Sequence, residues 1–346
     1  MSDIKKIKEL ALYAAKKQVP TEFANKTVED VNDVLRAELK ELCGTYQLYR
    51  KNKNVLFEIM EETMNEVVPK EVISIVGQFA EIRNYPHGAK PEFKVKKGKL
   101  RARKFATRAT ASGVYEAFRL DTDIVPVTTF VIGDAAYIDF ERFLAGIEDW
   151  ADYMEALTDG IVTKIWNEVY EALIAAAGTV VTDANSTISG GTAYDSDELL
   201  KIIRKVSAYG SPVIVATASF VDDMGPDAIY APGLTNWKTG NGVAYAPDDI
   251  DAIHGTGFIR IFRGTPVIVL PVSFTDVDNK TEIFDGKRAF ILPSDGEKVI
   301  KVAMEGGMIV RDWDNRDNSM EIQAYTKIGT AVLTGNNWGY YSLENN

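Results

Sequence analysis

The side chains that most often carry chemistry are scarce in this 346-residue sequence, which has one cysteine, Cys43, and two histidines, His87 and His254. A single thiol can neither close an internal disulfide nor build a thiolate metal cluster. Two histidines leave little room for histidine-based zinc chemistry or a conventional triad, and His254-Gly255-Thr256-Gly257 reads as a turn rather than a general base. The run Asp312-Trp313-Asp314-Asn315-Arg316-Asp317 begins like a calcium loop. Such a loop requires an oxygen ligand at 316, glycine at 317 and glutamate at 323, where this chain has Arg316, Asp317 and Gln323. Asp276-Val277-Asp278 fails in the same way, with Lys280 and Lys287 at ligand positions. Tyr13 and Lys17 have the spacing of a short-chain reductase pair, but no glycine-rich dinucleotide turn precedes them. Neither a Walker loop nor G-x-S-x-G occurs. The sequence therefore assigns no catalytic residue, cofactor or metal, and the expectation is a protein that is not an enzyme.

One stretch stands apart. Residues 94–108 contain Lys94, Lys96, Lys97, Lys99, Arg101, Arg103, Lys104 and Arg108 and no acid. The whole chain has a net charge of −11, so this stretch contributes +8 and the other residues carry −19. A nucleic-acid reader would place such charge on phosphates, yet Phe93 and Phe105 are the only nearby rings for stacking. A solvated basic loop is the plainer alternative. The reading preferred here is an arm that docks on an acidic surface of another copy, where opposite charges steer encounter and fix register.

Several elements must position this arm. Hydrophobic residues make up 46% and charged residues 26%, as in a folded soluble protein of two or three structural units. No secretory segment and no uninterrupted apolar run of spanning length is visible, so a reducing cytoplasm is the expected compartment. Residues 1–68 read as three helices: one with Ile4, Ile7, Leu10, Ala11 and Ala14 in step, a second with Val31, Val34, Leu35, Glu38 and Leu42, and a third from Tyr46 to Val67 stopped by Pro69. Their apolar stripes are narrow, so they are expected to pack on the body or on a neighbouring subunit. Phe93–Phe105 alternates apolar and basic residues about Lys97-Gly98 and predicts a two-stranded ribbon, with Val114–Asp123 and Ile124–Ile132 as returning strands.

The period of three to four is sustained longest over residues 139–177, from Phe140 through Met154, Ile161 and Val169 to Ala176. Asp139 is placed to cap that helix and Gly178 to end it, at a length on the order of 58 Å. From Tyr194 the texture is α/β. Asp195 and Glu198 form a capping box before an amphipathic helix, and strands are expected at Val213–Ala216, Phe258–Phe262, Pro266–Leu270, Ala289–Leu292, Val299–Met304 and Met320–Leu333. Residues 225–249 are glycine- and proline-rich, a length of loop that is usually functional.

This order of parts resembles the major capsid protein of tailed bacteriophages, the HK-97-type fold. FKVKKGKLRARKF (Phe93–Phe105) stands in the position of that family's extended loop, and DFERFLAGIEDWADYMEALTDGIVTKIWNEVYEALIAAAG (Asp139–Gly178) in that of its spine helix. DELLKIIRKVSAYGSPVIVAT (Asp197–Thr217) is similar to the opening of its axial domain. Residues Lys298–Tyr341 are similar to its last peripheral strands. The resemblance implies an α+β chain with a helical N-terminal arm (1–68), an extended loop with its base strands (69–137), a peripheral domain (138–190 and 296–346) and an axial domain (191–295). It implies self-assembly through hexamers and pentamers into an icosahedral shell around double-stranded DNA, with the protein located in the virion after assembly in a host cytoplasm. The basic residues 94–108 would make inter-subunit contacts, and Pro232, Trp237, Lys238 and Tyr245 would lie near the capsomer centre. The partners expected are other copies, a separate scaffolding protein, a portal and head-completion proteins, without a membrane. No set of cross-linking residues can be matched one by one. An encapsulin-type nanocompartment, a soluble acidic enzyme with residues 225–249 as a lid, and a nucleic-acid-binding module remain as alternatives.

Overall fold

In a computed structural model the described residues are 4–18, 27–96, 122–138, 150–180, 187–190, 194–208, 210–224, 260–270, 272, 274, 278–314, 320–334 and 338–343. The fold is α+β. Three helices come first: α1 (Ile4–Ala15), α2 (Val28–Cys43) and α3 (Tyr46–Val76). Thr27 caps α2 through a reciprocal box with Asp30, and Thr45 caps α3 by accepting the Leu48 amide. The stripe of α1 is buried at Ile7, Leu10, Ala11 and Ala14, while Ile4 is exposed.

Helix α3 overturns the expected stop at Pro69, because it runs 31 residues through that proline. An interior proline costs roughly 3 kcal/mol, but the buried face continues across it, with Met60, Met64, Val68, Val72 and Val76 all inaccessible. Packing on that face outweighs the local break. The N-terminal helices share one apolar core with the rest of the body.

The strands form two larger sheets and a ribbon. The four-stranded sheet has the order β1 (Ala80–Tyr85), β10 (Ile300–Asp314), β11 (Met320–Val332), β4 (Phe130–Ile138). β1 lies parallel to β10, and the other pairs are antiparallel. The long helix α4 (Trp150–Val180) packs on β4 and β11. Its predicted stripe is buried at Met154, Leu157, Ile161, Ile165, Val169, Leu173 and Ala176. It spans 31 residues, about 46 Å, and passes Gly178 before ending. The proposed cap at Asp139 lies outside the described residues.

The six-stranded sheet has the order β5 (Thr187–Gly190), β12 (Gly339–Ser342), β9 (Arg288–Pro293), β6 (Pro212–Thr217), β8 (Thr265–Leu270), β7 (Ile261–Phe262). Its central strands β6, β9 and β12 are buried on both faces. Val213, Val215, Phe290, Leu292 and Tyr340 face the core shared with α4, whereas Ile214, Ala216, Ala289, Ile291 and Tyr341 face α5 (Ser196–Ser207) and α6 (Ala218–Met224). This is the period-two alternation of a strand between two layers. On the first side a chain of rings runs Trp166, Phe284, Tyr170, Phe290, Tyr340, with centroids 5.1–6.5 Å apart. The Tyr170 hydroxyl accepts the Asp285 amide at 2.9 Å.

Asp195 does cap α5, but not as a box with Glu198. Its side chain accepts the Asp197 amide. The Asp195 amide, which a box would give to Glu198, goes to the Tyr341 hydroxyl at 2.8 Å. Glu198 pairs instead with Lys201 at 2.5 Å.

Candidate functional site: the root of the basic extension

The extension leaves the body as a two-stranded ribbon, β2 (Glu92–Lys96) antiparallel to β3 (Thr122–Pro126). The alternation read from the sequence holds here: Phe93 and Val95 are buried, and Lys94 is exposed. The partner strand differs from the expected one. Phe93 stands opposite Val125 and Lys96 opposite Thr122, so the described pairing is with residues 122–126 rather than with 99–105. Lys97, Lys99, Arg101, Arg103, Lys104 and Arg108 lie outside the described residues, as do Pro232, Trp237, Lys238, Tyr245 and His254.

The ribbon seats on β1 and β10 through Phe93, whose ring is fully buried. The Arg83 guanidinium lies 5.1 Å and the Lys301 ammonium 5.8 Å from its centroid. Tyr85 meets it edge-on at 6.1 Å and donates its hydroxyl to the Glu92 carbonyl at 2.7 Å. Lys301 is 0% exposed, a position a cation occupies only when paired. It contacts Glu81 and donates to Glu297 at 2.8 Å, and Arg83 pairs with Glu81 at 2.5 Å. Burial pushes the Glu81 carboxyl upward, but Lys301 and Arg83 outweigh it and hold the group below the usual carboxylate range.

A second carboxylate holds both ends of the ribbon. Glu305 is 4% exposed. Its Oε2 accepts the Thr129 hydroxyl at 2.6 Å, and its Oε1 accepts the Gly88 amide at 2.9 Å, with Lys327 at 3.3 Å. The Thr129 and Gly88 donors, with Lys327, hold its carboxyl down to about 2 against the cost of burial.

Glu305 sits at a break in the β10 ladder. β1 pairing ends at Tyr85 opposite Glu305, and the register with β11 shifts between Glu305 and Ile309. Gly306 there has φ +75°, a conformation glycine takes without strain. Beyond the bulge, α3 takes over as partner. The Met308 amide donates to Asn65 Oδ1 at 2.6 Å and the Val310 amide to Glu61 Oε1 at 2.8 Å.

The sequence reading named Lys94 and Lys96 in this region but missed Glu81, Lys301 and Glu305. Gly306-Gly307 inside a strand was the available signal, since paired glycines there mark a bulge.

His87 also lies here, its ring against Gly306 beside Glu305. Among the described residues no group of three or more His, Cys, Asp or Glu is placed to hold a metal ion. Cys43 is buried, and that burial pushes its thiol up to about 11. Asp312–Asp314 of the calcium-like run belong to β10, paired with residues 320–322 of β11. Lys17 donates to Glu155 at 2.8 Å on the edge of a cleft of about 530 Å³ between α1, α3 and α4. No helix among the described residues is long and apolar enough to cross a membrane.

Residues 6–342 match the model of a family of prophage-derived capsid proteins, so the chain belongs to that class. The family is YonB, described as "SPbeta prophage-derived putative capsid protein YonB". Among solved structures the chain is similar to the virus-like particle from Pyrococcus furiosus, at 10% identity over 83% of this chain and 99% of that one, with a TM-score of 0.46. It is similar to a chain of Microbacterium phage Oxtober96 at 9% identity, 75% and 88% coverage and a TM-score of 0.48. The holo-SrpI encapsulin complex from Synechococcus elongatus matches at 12% identity, 75% and 85% coverage and a TM-score of 0.43. No curated protein sequence matches. None of these structural scores reaches 0.5, so family membership rests on the match over residues 6–342.

Proposed function

We propose that this chain is the major capsid subunit of a tailed phage or prophage, of HK-97-type architecture, which assembles through hexamers and pentamers into an icosahedral shell around double-stranded DNA. The observation that carries this reading is the family match over residues 6–342. In this proposal residues 1–68 are the N-terminal helical arm and 69–137 the extended loop with its base. Residues 138–190 and 296–346 form the peripheral domain and 191–295 the axial domain, with Thr187–Gly190 and Gly339–Ser342 contributing strands to the six-stranded sheet. The basic residues 94–108 reach over an acidic face of an adjacent copy, and the segment with Pro232, Trp237, Lys238 and Tyr245 sits where copies converge. Each contact can be weak, because every subunit makes several at once. The role is structural rather than catalytic. A separate scaffolding protein, a portal and head-completion proteins are the further partners, and the assembled protein resides in the virion.

Negative-stain microscopy of the purified chain, with and without a co-expressed scaffolding protein, tests this. Closed particles tens of nanometres across are the expected result, and nucleic acid inside them separates a phage shell from an encapsulin-type compartment holding a protein cargo. A chain that stays monomeric at high concentration with scaffold present overturns the proposal.

A further inference from the structure

We propose that Glu305 is a positioning residue that sets the angle of the β2–β3 ribbon on the body, by stapling both of the ribbon's legs to one carboxylate. The ribbon's ladder closes on itself. Phe93 pairs with Val125, the Val127 amide donates to the Pro91 carbonyl at 3.0 Å, and among the described residues neither strand joins either larger sheet. An isolated two-stranded hairpin is marginal in water, and the outer strand of this one is open to solvent, with Ile124 57% exposed. Side chains must therefore hold it.

Phe93 and Val95 secure the incoming strand, and Val125 and Val127 pack the outgoing leg on the same core, but none of them spans both legs. Glu305 secures both: Oε1 holds Gly88, just ahead of β2, and Oε2 holds Thr129, just after β3. One oxygen per leg means that the two chain crossings cannot separate, or slide past each other, without losing a charge-assisted hydrogen bond. Lys327, on the neighbouring strand β11, orients the carboxylate from the side. The position in the fold suits the task. Glu305 lies where β1 ends and where the β10 ladder shifts, so its side chain stands at the point where the chain leaves the sheet. Among the described residues no ladder bond ties the ribbon to the body, so the staple holds the paired strands at one angle, and without it the pair, still joined by its own ladder, tilts as a unit. What the angle is for rests on the shell reading above, in which it decides where the basic run beginning at Lys94 meets a neighbour.

Amide hydrogen exchange on the unassembled full-length chain tests the staple. In E305Q one acceptor oxygen becomes a donor and both bonds lose their charge assistance, so amides of 92–96 and 122–126 are expected to exchange about tenfold faster. Amides of α4 and β9 should keep their wild-type rates. T129V, which removes one hydroxyl and keeps the shape, should give a smaller acceleration confined to the ribbon. Ribbon protection equal to wild type in E305Q overturns the proposal, as does equal acceleration in ribbon, α4 and β9, which would make Glu305 a general core residue. If E305Q does not fold, T129V decides alone: an unchanged ribbon overturns the staple. The measurement is made on free subunits, so its failure leaves the shell reading standing, and a failure to form particles leaves the staple standing.

Discussion

Asn65 Oδ1 accepts the backbone amide of Met308 at 2.6 Å, joining the middle of α3 to a strand 243 residues later. The bond fills a gap that the fold itself creates. Past the bulge at Gly306-Gly307, β10 has lost β1 as a partner, and helix side chains replace the ladder. Replacing Asn65 with leucine removes that acceptor. The bond is half-buried, so the expected cost is about 0.5–1.5 kcal/mol, read as a lowered urea midpoint with an unchanged slope. A midpoint equal to wild type would show that the bond is dispensable.

Gly339 lies where α5 presses on β12. A Cβ there would collide with the Ile202 γ2 methyl. G339A should therefore destabilise by about 1–3 kcal/mol through overpacking. I202A removes the colliding atoms, so the double variant should lose less than the sum of the single losses. Simple additivity in chemical denaturation would contradict the close approach.

Cys43 is a 0% exposed thiol at the end of α2, pushed up to about 11 by burial. Neither thiolate nor access is present near neutral pH, so a thiol reagent should label the native chain only through opening events. Labelling should track the unfolding equilibrium as denaturant is added. Immediate stoichiometric labelling in buffer would be inconsistent with this packing.

The pH dependence at Glu305 has a definite sign. Its carboxyl is held at about 2 in the fold against 4.5 ordinarily. As pH falls below 4.5 the unfolded chain takes up the proton first, so the contribution is complete above that value and is lost progressively towards about 2. Glu81, also held low, acts in the same direction. E305Q should flatten the acid limb of stability against pH. An acid limb as steep as that of wild type would show that Glu305 is protonated equally in both states.

Reversal of two charges in the extension, K96E with R101E, should leave the subunit folded and block particle formation. Circular dichroism and thermal melting check the first part, and electron microscopy the second. Normal particles from this variant would show that the positive charge is incidental to assembly.

What could be read from the sequence, and what could not, follows the range of the interactions. The stripe from Met154 to Ala176 was legible because each residue's environment repeats along one helix. The α/β strands were legible as apolar runs, but not their order, since β9 lies between β6 and β12 for reasons of packing. Pro69 was misread as a stop because local propensity says nothing of the face it continues. The capping box at Asp195 was misread because its amide partner, Tyr341, is 146 residues away. The root of the extension was missed for the same reason, with Glu81 and Lys301 separated by 220 residues.

The parallel pairing of β1 with β10 has a kinetic consequence. Ala80 meets Ile300, so the first strand of the four-stranded sheet waits for more than two hundred residues to be synthesised before its neighbour exists. During that interval the surfaces of α3 and β1 that meet β10 lack that partner, while β5, β6, β8 and β9 emerge. Contacts this distant form late and slowly, and chains held in that state are prone to associate. The newborn subunit is thus expected to depend on a chaperone until the stretch that begins at Ile300 arrives.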